Sequence, residues 1–210
     1  MNLINLRKKL IRYDIIIFDL DDTIYPQKNY DNRAIFYISK FISGEKNLNI
    51  FSVFSKLKKI KNNKTPQLLF NNFFKNEKIK YQNNIILKCV SIFQNYKCKE
   101  LRKSKSLKSL IKKLYRSKLL FLVSNGNIKR QKNKIKYLGI KKYFKKIFIL
   151  DGVKKKIKPS VQDVRFLVKL IKKNKNLNAV YVGDNAFVDK KFAKNLKIDF
   201  IFYKFPTIQC

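Results

Sequence analysis

Histidine is absent from the 210-residue chain, and cysteine is scarce. Without histidine, the sequence excludes Ser-His and Cys-His catalytic pairs, histidine-ligated zinc and histidine general bases. The three cysteines, Cys89, Cys98 and Cys210, are odd in number and show no Cys-x-x-Cys spacing. We interpret them as thiols in a reducing compartment, which predicts a cytoplasmic protein.

Glycine, proline and long apolar runs are also few. The chain has 5 Gly and 4 Pro, which argues against collagen-like, linker-rich or many-turned β architectures. No apolar run reaches the roughly 18–20 residues of a membrane span. Residues 1–14 lack the apolar stretch and the cleavage site of a signal peptide. Because 45% of the residues are apolar, we expect a folded chain with a buried core and no membrane partner.

Acidic residues number only 13, against 50 Lys and Arg, and the net charge is +37. Of the cations, 43 are Lys and only 7 are Arg, the side chain that base recognition prefers, and they are spread along almost the whole chain. A genome with a biased nucleotide composition would encode such a surplus of lysine at surface positions that tolerate it. We therefore expect no nucleic-acid partner beyond non-specific charge attraction, and we look for chemistry among the few acids.

Short apolar runs alternate with amphipathic segments, which predicts an α/β fold with a doubly wound parallel sheet. The predicted strands are residues 14–18, 119–123, 147–150, 179–182 and 199–203, and the predicted helices between them are 107–118, 127–138, 160–173 and 187–196. Apolar positions three to four residues apart predict further helices at 34–42, 50–60, 67–74 and 85–93. We thus expect a Rossmann-like core domain, residues 1–28 and 104–210, with an inserted all-α cap domain, residues 29–103.

Polar clusters follow several of the predicted strands directly, where parallel sheets place their sites. The clusters are Asp19-Leu20-Asp21-Asp22-Thr23, Ser124-Asn125-Gly126 and the stretch from Gly183-Asp184 to Asp189, and Lys158 lies in the loop after another strand. Taken alone, each cluster also fits a purely structural role, as a turn or as a helix cap. Lys158 alone also fits an ordinary surface lysine, because the chain has many. Their joint occurrence at strand ends brings Asp19, Asp21, Asp184 and Asp189 together, and hard oxygen ligands without nitrogen or sulfur indicate Mg²⁺.

In this order, the segments FDLDDTIYP, LVSNG, KP and YVGDNAFVD resemble the four motifs of the haloacid dehalogenase-like hydrolases. The resemblance implies that Asp19 is the nucleophile and Asp21 the general acid and base. It also implies that Ser124 and Lys158 bind phosphate with Thr23 and Asn125 beside them. The resemblance implies that Asp184 is the metal carboxylate and that Asp189 supports it. We expect Asp19, Asp184 and a backbone carbonyl near Asp21 to bind one Mg²⁺, with Asp189 close by or bridged through water. Lys156 is a rival to Lys158, and the cap matches no particular subfamily.

The function expected from this resemblance is a Mg²⁺-dependent phosphatase that acts on a small phosphorylated metabolite through an aspartyl-phosphate. Asp21 favours phosphoryl chemistry over dehalogenation, because a halide leaving group needs no proton. A phosphomutase of the same fold stays open, as does a basic nucleic-acid-binding or scaffold protein on a degenerate frame. The choice of ester, among sugar phosphates, phosphoglycolate and nucleoside or flavin monophosphates, and the oligomeric state also stay open.

Overall fold

The computed structural model describes residues 1–61, 66–99, 101, 105–174 and 176–206. The chain forms two compact units, Met1–Gln27 with Lys99–Cys210, and Lys28–Cys98. Cys89 and Cys98 are buried thiols, whereas Cys210 lies outside the described residues. Within the described ranges, none of the helices combines the length and the apolar character that crossing a membrane requires.

The first unit is built on five parallel strands in the order β3-β2-β1-β4-β5. The strands are β1 Ile15–Phe18, β2 Leu119–Asn125, β3 Lys146–Leu150, β4 Ala179–Gly183 and β5 Asp199–Phe202. All four residues of β1 are buried, because the central strand of such a sheet is covered on both faces. The predicted strands and their parallel arrangement are confirmed.

The helices of this unit are α1 Leu3–Leu10, α6 Lys105–Leu114, α7 Ile128–Leu138, α8 Arg165–Lys173 and α9 Val188–Leu196. One face of the sheet, with Ile15, Ile17 and Tyr181, packs on Leu167 of α8 and Phe192 of α9 in a single apolar cluster. Gly139 ends α7 with a φ of 64°, the left-handed conformation common just past a helix end.

Two local features of this unit differ from the sequence predictions. The helix predicted over 160–173 begins with a 3₁₀ turn, Gln162–Val164, in which the Val164 N–H donates to the Val161 carbonyl three residues back. Helix α1 was not predicted. It begins where the Asn2 side chain accepts a hydrogen bond from the Asn5 N–H, which is ordinary N-capping.

The second unit is helical. Its helices are α2 Gln27–Lys46, α3 Ile50–Ile60, α4 Pro66–Asn76 and α5 Asn83–Asn95. The first residue of α2 still belongs to the first unit. The four predicted helical segments are confirmed. Aromatic side chains hold these helices together through edge-to-face contacts, for example between Phe36 and Phe54 and between Phe70 and Phe93. Of the predicted cap range, 62–65, 100 and 102–104 lie outside the described residues.

Candidate active site

Strand β1 lies between β2 and β4. The chain adds β2 and β3 on one side of β1 and then β4 and β5 on the other side. The carboxyl ends of strands at such a switch point form the usual site of open α/β sheets. Asp19 follows β1 directly, and its backbone N–H donates to the Val182 carbonyl of β4 at 2.9 Å. The nucleophile predicted from the sequence is thus held at the switch point by main-chain pairing.

The Lys158 ammonium contacts the residue that follows β1, a residue within β4 and a residue in the first turn of α9. Its Nζ lies 2.6 Å from Asp19 Oδ1, 2.7 Å from Asp189 Oδ1 and 2.8 Å from the Tyr181 hydroxyl oxygen. Lys158, Asp19 and Asp189 are all buried, with 5%, 6% and 2% of their surface exposed. Burial favours the neutral lysine, but Asp19, Tyr181 and Asp189 outweigh it and raise the pKa of Lys158 well above its ordinary value.

The backbone of Lys158 is also fixed, because its N–H donates to Asn125 Oδ1 at 3.0 Å. The Asn125 side chain therefore links the end of β2 to the loop that carries Lys158. Lys156, the rival lysine, is exposed, and its N–H donates to the Asp163 carboxylate. Of the two lysines, Lys158 is the one whose ammonium contacts the Asp19 and Asp189 carboxylates.

Asp189 belongs to the first turn of α9 and reaches back over the end of β4. Its Oδ2 accepts a hydrogen bond from the Asn185 N–H at 3.0 Å. A Cβ added to Gly183 would lie 2.4 Å from the same oxygen and 2.7 Å from Asp189 Cγ. A glycine is required at position 183 because the carboxylate occupies the space that any side chain would need.

Three carboxylates form a group that fits a hard cation. One oxygen from each of Asp19, Asp184 and Asp189 lies within 4.8 Å of the others. Burial raises the pKa of Asp19 to about 7; the Lys158 charge opposes the rise, while Asp189 and Asp21 add to it. Burial also raises the pKa of Asp184 to about 6, with Asp22 and Asp189 adding to the effect. A divalent cation would relieve this mutual repulsion, so the donor set is suited to Mg²⁺.

For Asp21, the prediction places a nearby backbone carbonyl, and not the side chain, at the metal. The Asp21 carboxylate contacts helix α7 and Tyr25. Its Oδ1 accepts from Lys134 Nζ at 2.7 Å and from the Tyr25 hydroxyl, and its Oδ2 accepts from Gln131 Nε2 at 2.8 Å. Burial alone would raise the pKa of Asp21, but the Lys134 charge and these hydrogen bonds reverse the effect and lower it. Burial in turn lowers the pKa of Lys134 to about 8, against the opposing charge of Asp21. Among the described residues, Asp21 is not part of the three-carboxylate group.

The remaining predicted phosphate ligands lie at the same end of the sheet. Ser124, the sixth residue of β2, is fully buried, and its hydroxyl accepts from Gln131 Nε2 at 2.7 Å. Thr23 is also fully buried, and its hydroxyl has no hydrogen-bond partner within the part of the chain that the structure describes. A buried hydroxyl without a partner costs stability unless a ligand supplies one. This orphaned group is consistent with a binding site.

Sequence reasoning missed four residues of this network: Tyr25, Gln131, Lys134 and Tyr181. A signal existed for two of them. Gln131 and Lys134 lie four residues before the buried Ile135 and Leu138, respectively, which puts both on the buried face of α7. Polar side chains at such apolar positions indicate buried partners. Tyr181 fits the apolar pattern of its strand, so the sequence does not indicate that its hydroxyl contacts Lys158.

The sequence matches the family described as haloacid dehalogenase-like hydrolase over residues 16–203. No curated protein matches it. Among solved structures, it is similar to YfnB from Bacillus subtilis, assigned as a HAD-hydrolase and bound to magnesium (18% identity, TM-score 0.62, covering 91% of this chain and 88% of that one). A protein from Thermotoga maritima assigned as a β-phosphoglucomutase is similar at 15% identity (TM-score 0.59, 93% and 88%). One from Clostridium difficile assigned as a phosphatase is similar at 19% identity (TM-score 0.57, 91% and 85%).

Proposed function

Because the chain belongs to the haloacid dehalogenase-like hydrolase family, we propose that it is a Mg²⁺-dependent phosphatase that hydrolyses a small phosphomonoester. The observation that carries the proposal is the position of Asp19. Its carboxylate is buried at the switch point, 2.6 Å from the Lys158 ammonium, and lies in one group with Asp184 and Asp189. A buried carboxylate beside a fixed cation is a suitable nucleophile toward an anionic phosphoryl group.

In the proposed reaction, Asp19 attacks phosphorus in line and the ester oxygen leaves, which gives an aspartyl-phosphate on this side chain. Lys158 and Ser124 bind phosphoryl oxygens, and Thr23 and Asn125 line the same region. Asp189 and Asn125 keep Lys158 in place, since they contact its Nζ and its backbone N–H. Mg²⁺ held by Asp19, Asp184 and Asp189 would supply positive charge to balance the charge on the transferring group.

In this proposal, Asp21 is the general acid and the general base. Its contacts with α7 favour the ionised form, which is the form needed to accept a proton from the water that hydrolyses the aspartyl-phosphate. In the first step the same carboxyl must give a proton to the leaving oxygen. Protonating it beside Lys134 carries a cost, so the first step is the one most sensitive to the leaving group.

The helical unit, Lys28–Cys98, is proposed to act as a cap that selects the substrate and excludes water. The support is its place in the chain, inserted between Thr23 and the second strand, and the four helices that its described residues form. Closure of such a lid over bound substrate sequesters a reaction from water. Amide hydrogen exchange with and without orthovanadate and Mg²⁺ tests this role, and unchanged exchange throughout residues 28–98 would contradict it.

A screen of phosphorylated metabolites, with and without Mg²⁺, tests the proposed function. Released inorganic phosphate is measured for the wild type and for Asp19→Asn in parallel. We expect Mg²⁺-dependent release from at least one small ester by the wild type and none by the variant. Conversion of an ester to its isomer without phosphate release would assign a phosphomutase instead, and turnover that survives Asp19→Asn would overturn the proposal.

A further inference from the structure

Helix α7 carries two buried polar side chains, Gln131 and Lys134, one turn apart. Each has only 1% of its surface exposed. Lysine is almost never fully buried unless it is paired, and this chain has 43 lysines with a large surface to accommodate them. Both side chains meet the same carboxylate: Lys134 donates to Asp21 Oδ1 and Gln131 to Asp21 Oδ2.

Gln131 also contacts a second strand end. Its Nε2 lies 2.7 Å from Ser124 Oγ and 2.9 Å from the Asn125 carbonyl oxygen, besides 2.8 Å from Asp21 Oδ2. A primary amide has two N–H groups, so this nitrogen can serve two of the three acceptors at a time. One side chain thus links the loop after β1 to the end of β2.

The turn after Ser124 is shaped around this amide. Gly126 has a φ of 134°, and a Cβ added there would lie 3.2 Å from Gln131 Nε2. A larger residue at position 126 would be strained and would press on the amide. The turn therefore has both the backbone conformation and the space that Gln131 needs.

We propose that Gln131 is a positioning residue that sets the orientation of the Asp21 carboxylate relative to Ser124, with Lys134 fixing the other carboxylate oxygen. The inference rests on the proposed function, in which Asp21 transfers protons and Ser124 binds the phosphoryl group. A carboxylate held at both oxygens keeps one rotamer, so proton transfer occurs from a fixed point. Loss of that fixation misplaces the proton donor while the attack by Asp19 continues.

The test compares Gln131→Met, which keeps the length and removes the hydrogen bonds, with wild type on an alkyl and an activated aryl phosphate. We expect kcat on the alkyl ester to fall about 10–100-fold, with KM changed less than about threefold and a much smaller loss on the aryl ester. In the Asp21→Asn background the same substitution should cost less than about threefold. Lys132→Met, on the exposed side of α7, is the control and should behave as wild type.

The ratio of alkyl to aryl turnover does not depend on how much of a variant is folded, so a merely structural role would leave it unchanged. Lys134→Gln provides a second variant and should lower the same ratio. Equal losses on both esters, or a full loss that persists in the Asp21→Asn background, would overturn the positioning role. A wild type that turns over neither these esters nor any other would overturn the proposed function and the inference with it, whereas an active wild type with an unchanged Gln131→Met refutes the inference alone.

Discussion

Binding of Mg²⁺ should release protons near neutral pH, because the carboxylates that would hold the ion titrate there. In the metal-free protein the pKa of Asp19 is raised to about 7 and that of Asp184 to about 6, mainly by burial. Lys158 faces Asp19 with a favourable charge, and Asp189, Asp21 and Asp22 surround the two groups with unfavourable charges. A carboxylate must be ionised to ligate the cation, so each proton bound in the free protein leaves on binding.

The number of protons released, and its change with pH, follow from these two pKa values. At pH 7 about half of Asp19 and about a tenth of Asp184 are protonated, so binding releases ~0.6 protons. At pH 6 the release grows to ~1.4 protons, and at pH 8 it falls to ~0.1. The same titration weakens Mg²⁺ binding about tenfold between pH 7 and pH 6. Carboxylates with ordinary pKa values would release almost nothing over this range.

Isothermal titration calorimetry, in pairs of buffers that differ in ionisation enthalpy, measures the released protons at pH 6, 7 and 8. Glu45→Gln is the control, because this exposed glutamate lies on α2, outside the three-carboxylate group. The control should match wild type at every pH. Mg²⁺ affinity that stays level from pH 8 to pH 6, with no proton release, would refute the account of Asp19 and Asp184 as ligands with raised pKa values.

Three further predictions address the same site. Gly183→Ala should destabilise the protein by about 1–3 kcal/mol and lower kcat, because the new Cβ displaces Asp189; Gly44→Ala, with no atom within 4 Å of its added Cβ, should be neutral or stabilising, and equal melting temperatures for the two variants would contradict the reasoning. EDTA should abolish hydrolysis of an aryl phosphate and Mg²⁺ restore it; full activity in EDTA would exclude the metal role. Asp21→Asn should slow alkyl esters about 10²–10⁴-fold and an activated aryl ester least, whereas equal loss on both would remove its role as acid.

The sheet was predictable from the sequence because each strand contains a short, uninterrupted run of apolar residues, many of them β-branched or aromatic. Ile15–Phe18 is typical: four apolar residues that end at Asp19. Once the strands are parallel, their carboxyl ends must share one edge, so the proximity of Asp19 and Asp184, which directly follow β1 and β4, was predictable from topology. No side-chain geometry was needed for that step.

The partners of Asp21 were not predictable in the same way. The four-residue spacing from Ile135 and Leu138 puts Gln131 and Lys134 on the buried face of α7, but it does not specify which carboxylate they contact. The choice between Lys156 and Lys158 depends on the path of a loop, fixed by the hydrogen bond between the Lys158 N–H and Asn125. Both cases involve polar contacts between distant segments, and the partner in such a contact is not specified by the periodicity of the sequence.

A covalent phosphoryl group on Asp19 is the central claim, and it can be detected directly. The protein, turning over an ester in the presence of Mg²⁺, is quenched in acid and digested, and the peptide that contains residue 19 is analysed by mass spectrometry. We expect a hydroxylamine-sensitive phosphoryl group on Asp19 in the wild type and none in Asp19→Asn. With an activated aryl ester, whose leaving group needs little protonation, Asp21→Asn should carry a larger amount, because hydrolysis of the intermediate is slowed. Turnover without any such group, or phosphorylation of a different residue, would contradict the account.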